Sequence, residues 1–253
     1  MNTPVGENNP AIRIVGLTKR FDDCTALNDI SFEISAGEVV AVLGVSGAGK
    51  TTLFRCLTRL AQPDGGEVFL ADHSIWRFGG EHLSAARGDV GLIFQQFNLI
   101  RRLNALDNVL VGRLGAVATW RVMLRRFPTR DRQLALAALD RVGMLPYAMQ
   151  RADSLSGGQQ QRVAIARALA QQSRFVLADE PISSLDPAAA KSVLSILREI
   201  ARERMIAVLV SLHQVDFAVQ FADRIIGLRA GQMIADRPAA AFDETDHRLI
   251  FAS

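Results

Sequence analysis

The 253 residues carry 29 Lys+Arg against 26 Asp+Glu, a formal net charge of +3, with 49% hydrophobic and 22% charged residues. This is an ordinary globular balance, long enough for one large or two closely joined domains. The longest apolar runs, such as Met205-Ile206-Ala207-Val208-Leu209-Val210, fall far short of the roughly 20 residues of a membrane-spanning helix. The polar start lacks the apolar core of a signal peptide, so a cytoplasmic location is expected. The two cysteines, Cys24 and Cys56, are far apart and read as packing residues, neither a disulfide nor a metal pair.

Residues 1–11 are polar, with Pro4 and Pro10, and predict a disordered start. Weak alternation over 12–17 predicts a strand, followed by Lys19-Arg20-Phe21 and a turn at Asp22-Asp23. A second strand is expected over 26–34. Two readings are open for Phe21: a core residue, or an exposed ring on which an adenine base stacks.

Ser35-Ala36-Gly37-Glu38 then turns the chain into an apolar, β-branched run over 38–43, of buried-strand type. The next eight residues, Gly44-Val45-Ser46-Gly47-Ala48-Gly49-Lys50-Thr51, fit G-x-x-x-x-G-K-[ST], a phosphate-cradling loop. Residues from Thr52 to Leu57 read as the helix that the motif requires after it. The glycines let successive N–H groups face one point, and the helix N-terminus adds partial positive charge. Lys50 would reach the outer phosphates and the Thr51 hydroxyl would ligate Mg2+. Lys19, Lys50 and Lys191 are the only lysines among the 29 basic residues, so a lysine at the one demanded position is improbable by chance.

Gln62-Pro63-Asp64-Gly65-Gly66 signals a turn. Strands are expected over 67–70 and 89–94, the second ending at Gln95-Gln96. Helical periodicity then runs from Leu103 to Arg151 through Leu106, Val109, Leu110, Leu136 and Leu139, which predicts an inserted helical subdomain. Residues 97–151 hold ten arginines and three aspartates, +7 in a chain of +3, so the remainder is −4. That charge suits either a solvated helical face or an acidic or membrane-proximal partner.

Ser156 is a good N-cap for a helix opened by Leu155-Ser156-Gly157-Gly158-Gln159, and bare N–H groups there form a second potential anion site. Phe175-Val176-Leu177-Ala178 is an apolar strand that ends in Asp179-Glu180. Beside a phosphate loop, one acid can hold Mg2+ while the other polarises an attacking water. A turn over Ser183-Ser184-Leu185-Asp186-Pro187 leads into a helix over 188–202. A strand over 206–210 runs into Ser211-Leu212-His213. Ligands collect beyond the strand C-termini of an open α/β sheet, so His213 is expected to contact the terminal phosphate. Strands over 223–228 and 232–235 precede a tail read as a short helix or a frayed end.

Residues 12 to about 240 resemble the ATP-binding subunits of ABC transporters. The phosphate loop matches their Walker A, Gln95 their Q-loop, and Leu155-Ser156-Gly157-Gly158-Gln159 their signature. Residues 175–180 match Walker B with its catalytic glutamate, Ser184-Leu185-Asp186 the D-loop, and His213 the switch histidine. The resemblance implies an α/β, RecA-like P-loop ATPase core in a single domain over 12–240. It also implies an N-terminal antiparallel β layer, a helical subdomain inserted at about 97–165, and a tail over 241–253. It implies that Phe21 and Gly44 through Thr52 bind ATP, that Thr51, Gln95 and Asp179 hold Mg2+, and that Glu180, His213 and Gln95 serve hydrolysis. Ser156, Gly157, Gly158, Gln159 and Asp186 would meet the ATP of the opposite subunit in a homodimer. The family further implies separate membrane permease chains and, indirectly, a periplasmic or extracellular binding protein. The site of action would be peripheral, on the cytoplasmic face of the cell (inner) membrane, with no nucleic-acid partner.

Phe97-Asn98-Leu99-Ile100-Arg101-Arg102-Leu103, Asn108 through Gly115, Thr119-Trp120-Arg121 and Phe127-Pro128 are similar to the phosphonate-import branch. Val45 stands where many relatives have proline and Thr51 where many have serine; the hydroxyl is kept. The alternative is a soluble, non-transport ATPase of the same superfamily acting on nucleic acid or the ribosome. A single cassette with about 60 residues between Gln95 and Leu155 counts against it.

Overall fold

Three short strands have no polar face, and this sets the architecture. Every residue of β3 (Val39–Leu43), β7 (Phe175–Ala178) and β8 (Ala207–Ser211) is buried. Alternate residues belong to different cores: Val39, Ala41 and Leu43 face one apolar cluster, Val40 and Val42 the other. Burial on both faces is why these stretches read as unbroken apolar runs instead of alternating ones.

The computed structural model describes residues 11–70, 73–76, 89–124 and 126–251; the expected disordered start lies, but for Ala11, outside them. One sheet has six strands in the order β10-β9-β3-β8-β7-β6, completed by β6 (Val90–Ile93), β9 (Arg224–Arg229) and β10 (Gln232–Pro238). All its pairings are parallel except β10 on β9. The other sheet, order β2-β1-β4-β5, is antiparallel and comprises β1 (Ile12–Phe21), β2 (Cys24–Ile34), β4 (Gly65–Leu70) and β5 (His73–Ser74). Ile12, Ile14, Leu17, Leu27 and Ile30 pack with Val40, Val42, Leu177 and Leu209 to fill the space between the sheets, together with Leu53 and Phe54 of α1 (Lys50–Leu57).

Four strands, β1, β2, β4 and β10, are longer than the sequence predicts. β1 runs on to Phe21 because β2 begins at Cys24 and pairs with it across the Asp22-Asp23 turn. Gly65 and Gly66, expected in a turn, open β4; Gly65 pairs with Thr18.

The other core cluster covers the opposite face of the large sheet. It joins α6 (Pro187–Arg204) and a helical layer of α2 (Ala105–Val111), α4 (Thr129–Arg141) and α5 (Gly157–Ala170), whereas the short α3 (Thr119–Met123) buries no residue and stays outside it. Part of the basic charge is consumed here. Arg113 Nε lies 2.7 Å from Asp131 Oδ1 in a largely buried pair, and Arg113 Nη1 also donates to the Ala170 carbonyl at 3.1 Å. Arg141 pairs with Glu199 and Glu203 of α6, and Arg151 with Asp153. Neither sequence reading of the charge foresaw these internal partners. Asn108, 1% exposed, ties the preceding loop to α2: its Oδ1 accepts from Ile100 N at 2.7 Å and its Nδ2 donates to Ile100 O and Asn104 O.

A seven-residue helix, α7 (Val215–Phe221), follows β8 and was not expected. Residues after Ala240, set apart on sequence grounds as a tail, carry α8 (Glu244–Phe251). Its Ile250 is fully buried over Gly227 of β9, where a Cβ would come within 2.5 Å of Ile250 Cδ1. Ile250→Ala is therefore expected to lower unfolding stability by about 2–4 kcal/mol, as for other large-to-small core changes, measured by urea denaturation. A change within error would place α8 outside the cooperative core.

Candidate functional site

The strand order brings the candidate residues together. β8 lies between β3 and β7, and the three parallel strands end at one edge. The phosphate loop leaves β3, Asp179 and Glu180 leave β7, and the β8 chain continues to His213 between them. Ser46 through Thr52, Glu180 and His213 line one concavity of about 520 Å³ together with Cys24, Thr25, Ala26 and Ala230; Phe21, Gly44, Val45 and Asp179 do not line it.

The loop itself needs glycine at its last turn. Gly49 has φ 110° and is the N-cap of α1, and a Cβ there would lie 2.6 Å from the Ala26 carbonyl. A side chain is excluded by both conformation and space. Lys50, 6% exposed, folds back so that Nζ donates to Gly44 O at 2.6 Å and Val45 O at 3.2 Å. Burial pulls its pKa below the ordinary lysine value, and the charges of Glu180 and Asp179 oppose that.

Asp179 shows the converse. Burial pushes its pKa up, and the hydrogen bond from Ser211 opposes the rise. The Glu180 carboxylate lies beside His213, whose Nε2 is 2.5 Å from Oε1. Glu180 adopts a left-handed backbone, φ 47°, which is uncommon for a residue with a side chain.

Other sequence-predicted residues stand apart. Phe21 is 44% exposed at the tip of the β1–β2 hairpin, with Lys19 Nζ 5.0 Å from its ring centroid. The reading of Phe21 as core is therefore corrected: its ring is on the surface because the strand pair ends there. Ser156 caps α5 in a capping box: Gln159 N donates to Ser156 Oγ at 3.3 Å and Ser156 N to Gln159 Oε1 at 2.9 Å. Ser156, Gly157, Gly158 and Gln159 do not line the phosphate-loop concavity, nor do Gln95 and Asp186. Asp186 is the N-cap of α6, its Oδ1 accepting from Ala188 N and Ala189 N at 3.0 Å each. Just after Gln95, Phe97 and Asn98 both have positive φ. Arg167 of α5 grips this bend, donating from Nη2 to Phe97 O at 3.0 Å and from Nη1 to Asn98 O at 2.7 Å.

A second concavity, about 460 Å³ and chiefly apolar, lies between the sheet and the helical layer, lined by Leu57, Leu60, Leu92, Phe94, Val111 and Arg167 among others. It lacks the loop amides that suit phosphate. Cys24, Thr25, Ala26 and Ala230 of the nucleotide concavity were missed from sequence. They reach it only through tertiary folding of the β1–β2 hairpin and the β9–β10 turn.

A strand, a glycine loop with a buried lysine and a helix, with two carboxylates and a histidine at the same sheet edge, define a P-loop nucleotide-binding protein of the ATP-hydrolysing type. The comparisons narrow the class. The ABC transporter family model matches residues 27–183, and the chain belongs to that family, whose cassettes bind and hydrolyse ATP. The hypophosphite import ATP-binding protein HtxD of Stutzerimonas stutzeri is 49% identical over 240 residues, 94% of this chain and 70% of that protein. The phosphonates import ATP-binding protein PhnC 1 of Rhodopseudomonas palustris (strain HaA2) is 49% identical over 230 residues, 90% and 82% of the two chains. Among solved structures, the dimeric bacterial ABC transporter cassette MJ0796 is 32% identical with a TM-score of 0.79, covering 91% of this chain and 100% of that one. CbiO1 of Clostridium perfringens, at 24% identity, matches in fold with a TM-score of 0.83 over 95% and 93% of the chains.

The two thiols test the concavity. Cys24 is exposed at its rim, while burial pushes the Cys56 thiol up to about 11. At pH 8 a thiol reagent is expected to label one cysteine in the native protein and two in denaturant. Mg-ATP should slow labelling of Cys24; equal rates with and without nucleotide would count against this location for the ligand.

Proposed function

We propose that this chain is the ATP-hydrolysing subunit of an import complex for phosphonates or related phosphorus oxyanions, working with separate permease chains. The observation that carries the mechanism is the meeting of Glu180 and His213 over the phosphate loop in one concavity. ATP binds with its phosphates against the amides of residues 44–52. Lys50 exchanges the Gly44 and Val45 carbonyls for phosphate oxygens, which relieves a desolvated ammonium. Glu180 orients the attacking water, and His213 holds that carboxylate and contacts the terminal phosphate. Phe21 stacks on the adenine from the hairpin tip.

The hydroxyl of Thr51, the Asp179 carboxylate and the Gln95 amide oxygen are hard-oxygen donors that would hold Mg2+. Among the described residues no cluster of three or more His, Cys, Asp or Glu could hold a metal. Bound there, the ion neutralises charge on the phosphoryl oxygens.

The signature residues Ser156, Gly157, Gly158 and Gln159 reach ATP only from a second copy, placed head to tail, with Asp186 at the same interface. Two observations support this reading: Ser156 is exposed and does not line the concavity of its own phosphate loop, and the related cassette MJ0796 is a dimer bound to ADP and Pi. ATP joins the copies and hydrolysis separates them. The apolar concavity beside Phe94 and Arg167 receives a permease segment. Among the described residues no helix is long and apolar enough to cross a membrane, which accords with a peripheral subunit held by such a partner. Selection of the phosphorus compound belongs to the permease and a separate binding protein. The soluble nucleic-acid ATPase reading is set aside, because the relatives at 45–49% identity are import proteins.

Glu180→Gln is expected to lower ATP turnover by about 100-fold or more with ATP binding retained, and to trap an ATP-loaded dimer in light scattering. Wild-type turnover removes Glu180 from its role; a loaded variant that stays monomeric at high concentration removes the two-copy site. Separately, Leu60 is 66% exposed at the apolar concavity. Leu60→Asp should leave ATPase activity of the isolated protein unchanged and abolish co-purification with the permease; retained co-purification would redirect the search for the docking surface.

A further inference from the structure

We propose that Ser211 is a positioning residue for ATP hydrolysis, a hydroxyl that fixes both carboxylate-bearing residues of the site at once. It is the last residue of β8 and is 0% exposed. Its Oγ donates to Asp179 Oδ1 at 2.7 Å and accepts from the backbone N–H of Glu180 at 2.8 Å. A serine hydroxyl has one proton, so giving it to Asp179 leaves a lone pair for Glu180, and both bonds form together.

Each bond has a separate effect. The first fixes the rotation of the Asp179 carboxylate about its side chain. The second satisfies the only backbone donor of a residue in the left-handed region, φ 47°. Such a conformation persists where the surroundings over-determine it. Here they do so from three sides. Ser211 holds the Glu180 N–H, Ser183 N and Oγ donate to the Glu180 carbonyl at 3.3 and 3.1 Å, and His213 holds the carboxylate. A packing role alone would be met by alanine. The serine instead spends its one proton and a lone pair on two consecutive residues of the site.

The proposal rests on the roles given above to Asp179 and Glu180. Removing the hydroxyl leaves the Glu180 N–H unpaired in a partly buried place and releases the bend that aims the carboxylate, and small misplacements of this kind cost on the order of 100-fold in rate. The phosphate loop is carried by a different strand, so nucleotide binding should be spared.

Variants at Ser211, followed by steady-state kinetics, ATP affinity, thermal midpoint and hydrogen exchange, test this. Ser211→Ala is expected to lower kcat about 10–100-fold, with KM for ATP and ATP affinity in EDTA within about twofold and a thermal midpoint near wild type. Ser211→Thr, which keeps the hydroxyl, should restore most of kcat. Hydrogen exchange of the Glu180 amide in the nucleotide-free protein should be faster in Ser211→Ala and slow again in Ser211→Thr. Wild-type kcat in Ser211→Ala, or equal losses in Ala and Thr variants with a lowered thermal midpoint, overturns the assignment. Should Ser211→Ala fail to fold, Ser211→Cys keeps the volume with a weaker donor; reduced kcat at a wild-type midpoint supports the proposal and wild-type kcat overturns it. Glu180→Gln is the companion control. Full turnover there overturns the underlying reading as well, whereas a dead Glu180→Gln beside an active Ser211→Ala overturns only the role of Ser211.

Discussion

β3 must be buried on both faces, and the rest of the site follows from that constraint. Val40 and Val42 close the space under the antiparallel sheet while Val39, Ala41 and Leu43 face the helical side. A strand so enclosed cannot slip by one residue without exchanging its two faces. The loop it delivers is therefore fixed in height and direction. β8 and β7 share the same two-sided burial and the same parallel register, Val42 opposite Ser211 and Ala178 opposite Val210. The catalytic edge is an outcome of core packing before any ligand binds.

Within that edge each charged group already has a partner. Lys50 is held by two loop carbonyls, Asp179 by Ser211, and Glu180 by His213. Burial works against the charged form of both Lys50 and Asp179. On the reading proposed above, the phosphates of ATP would give the ammonium an anion in place of two neutral carbonyls, which is favourable where water is scarce, and a bound cation would add to the Asp179 carboxylate while Ser211 keeps its bond.

Much of this was legible in sequence because it rests on local chemistry. The phosphate loop announces itself by spacing, the Phe175–Ala178 strand by an apolar run ending in two acids, and the α5 start by a serine cap three residues ahead of a glutamine. What was not legible depends on long-range partners. The fate of Gly65-Gly66 was decided by Thr18, some 47 positions earlier. The arginine-rich stretch looked free because the acids that meet it include Glu199 and Glu203 of α6. Ser211 passed as an ordinary strand end, since nothing local says that Asp179 and Glu180 lie beside it. The helix at the C-terminal end reads as a tail until Gly227 is seen to leave a hollow for Ile250.

Arg167 lies eleven residues beyond Ser156 on α5, roughly 17 Å along the axis at 1.5 Å per residue. One end of this rod presents its cap to the outside; further along, it clasps the bent peptides that follow Gln95. A helix is stiff along its length, so a tilt imposed at the serine end is felt at the glutamine loop without any intermediate relay. The cap at Ser156 and the bend after Gln95 are thus joined by one helix.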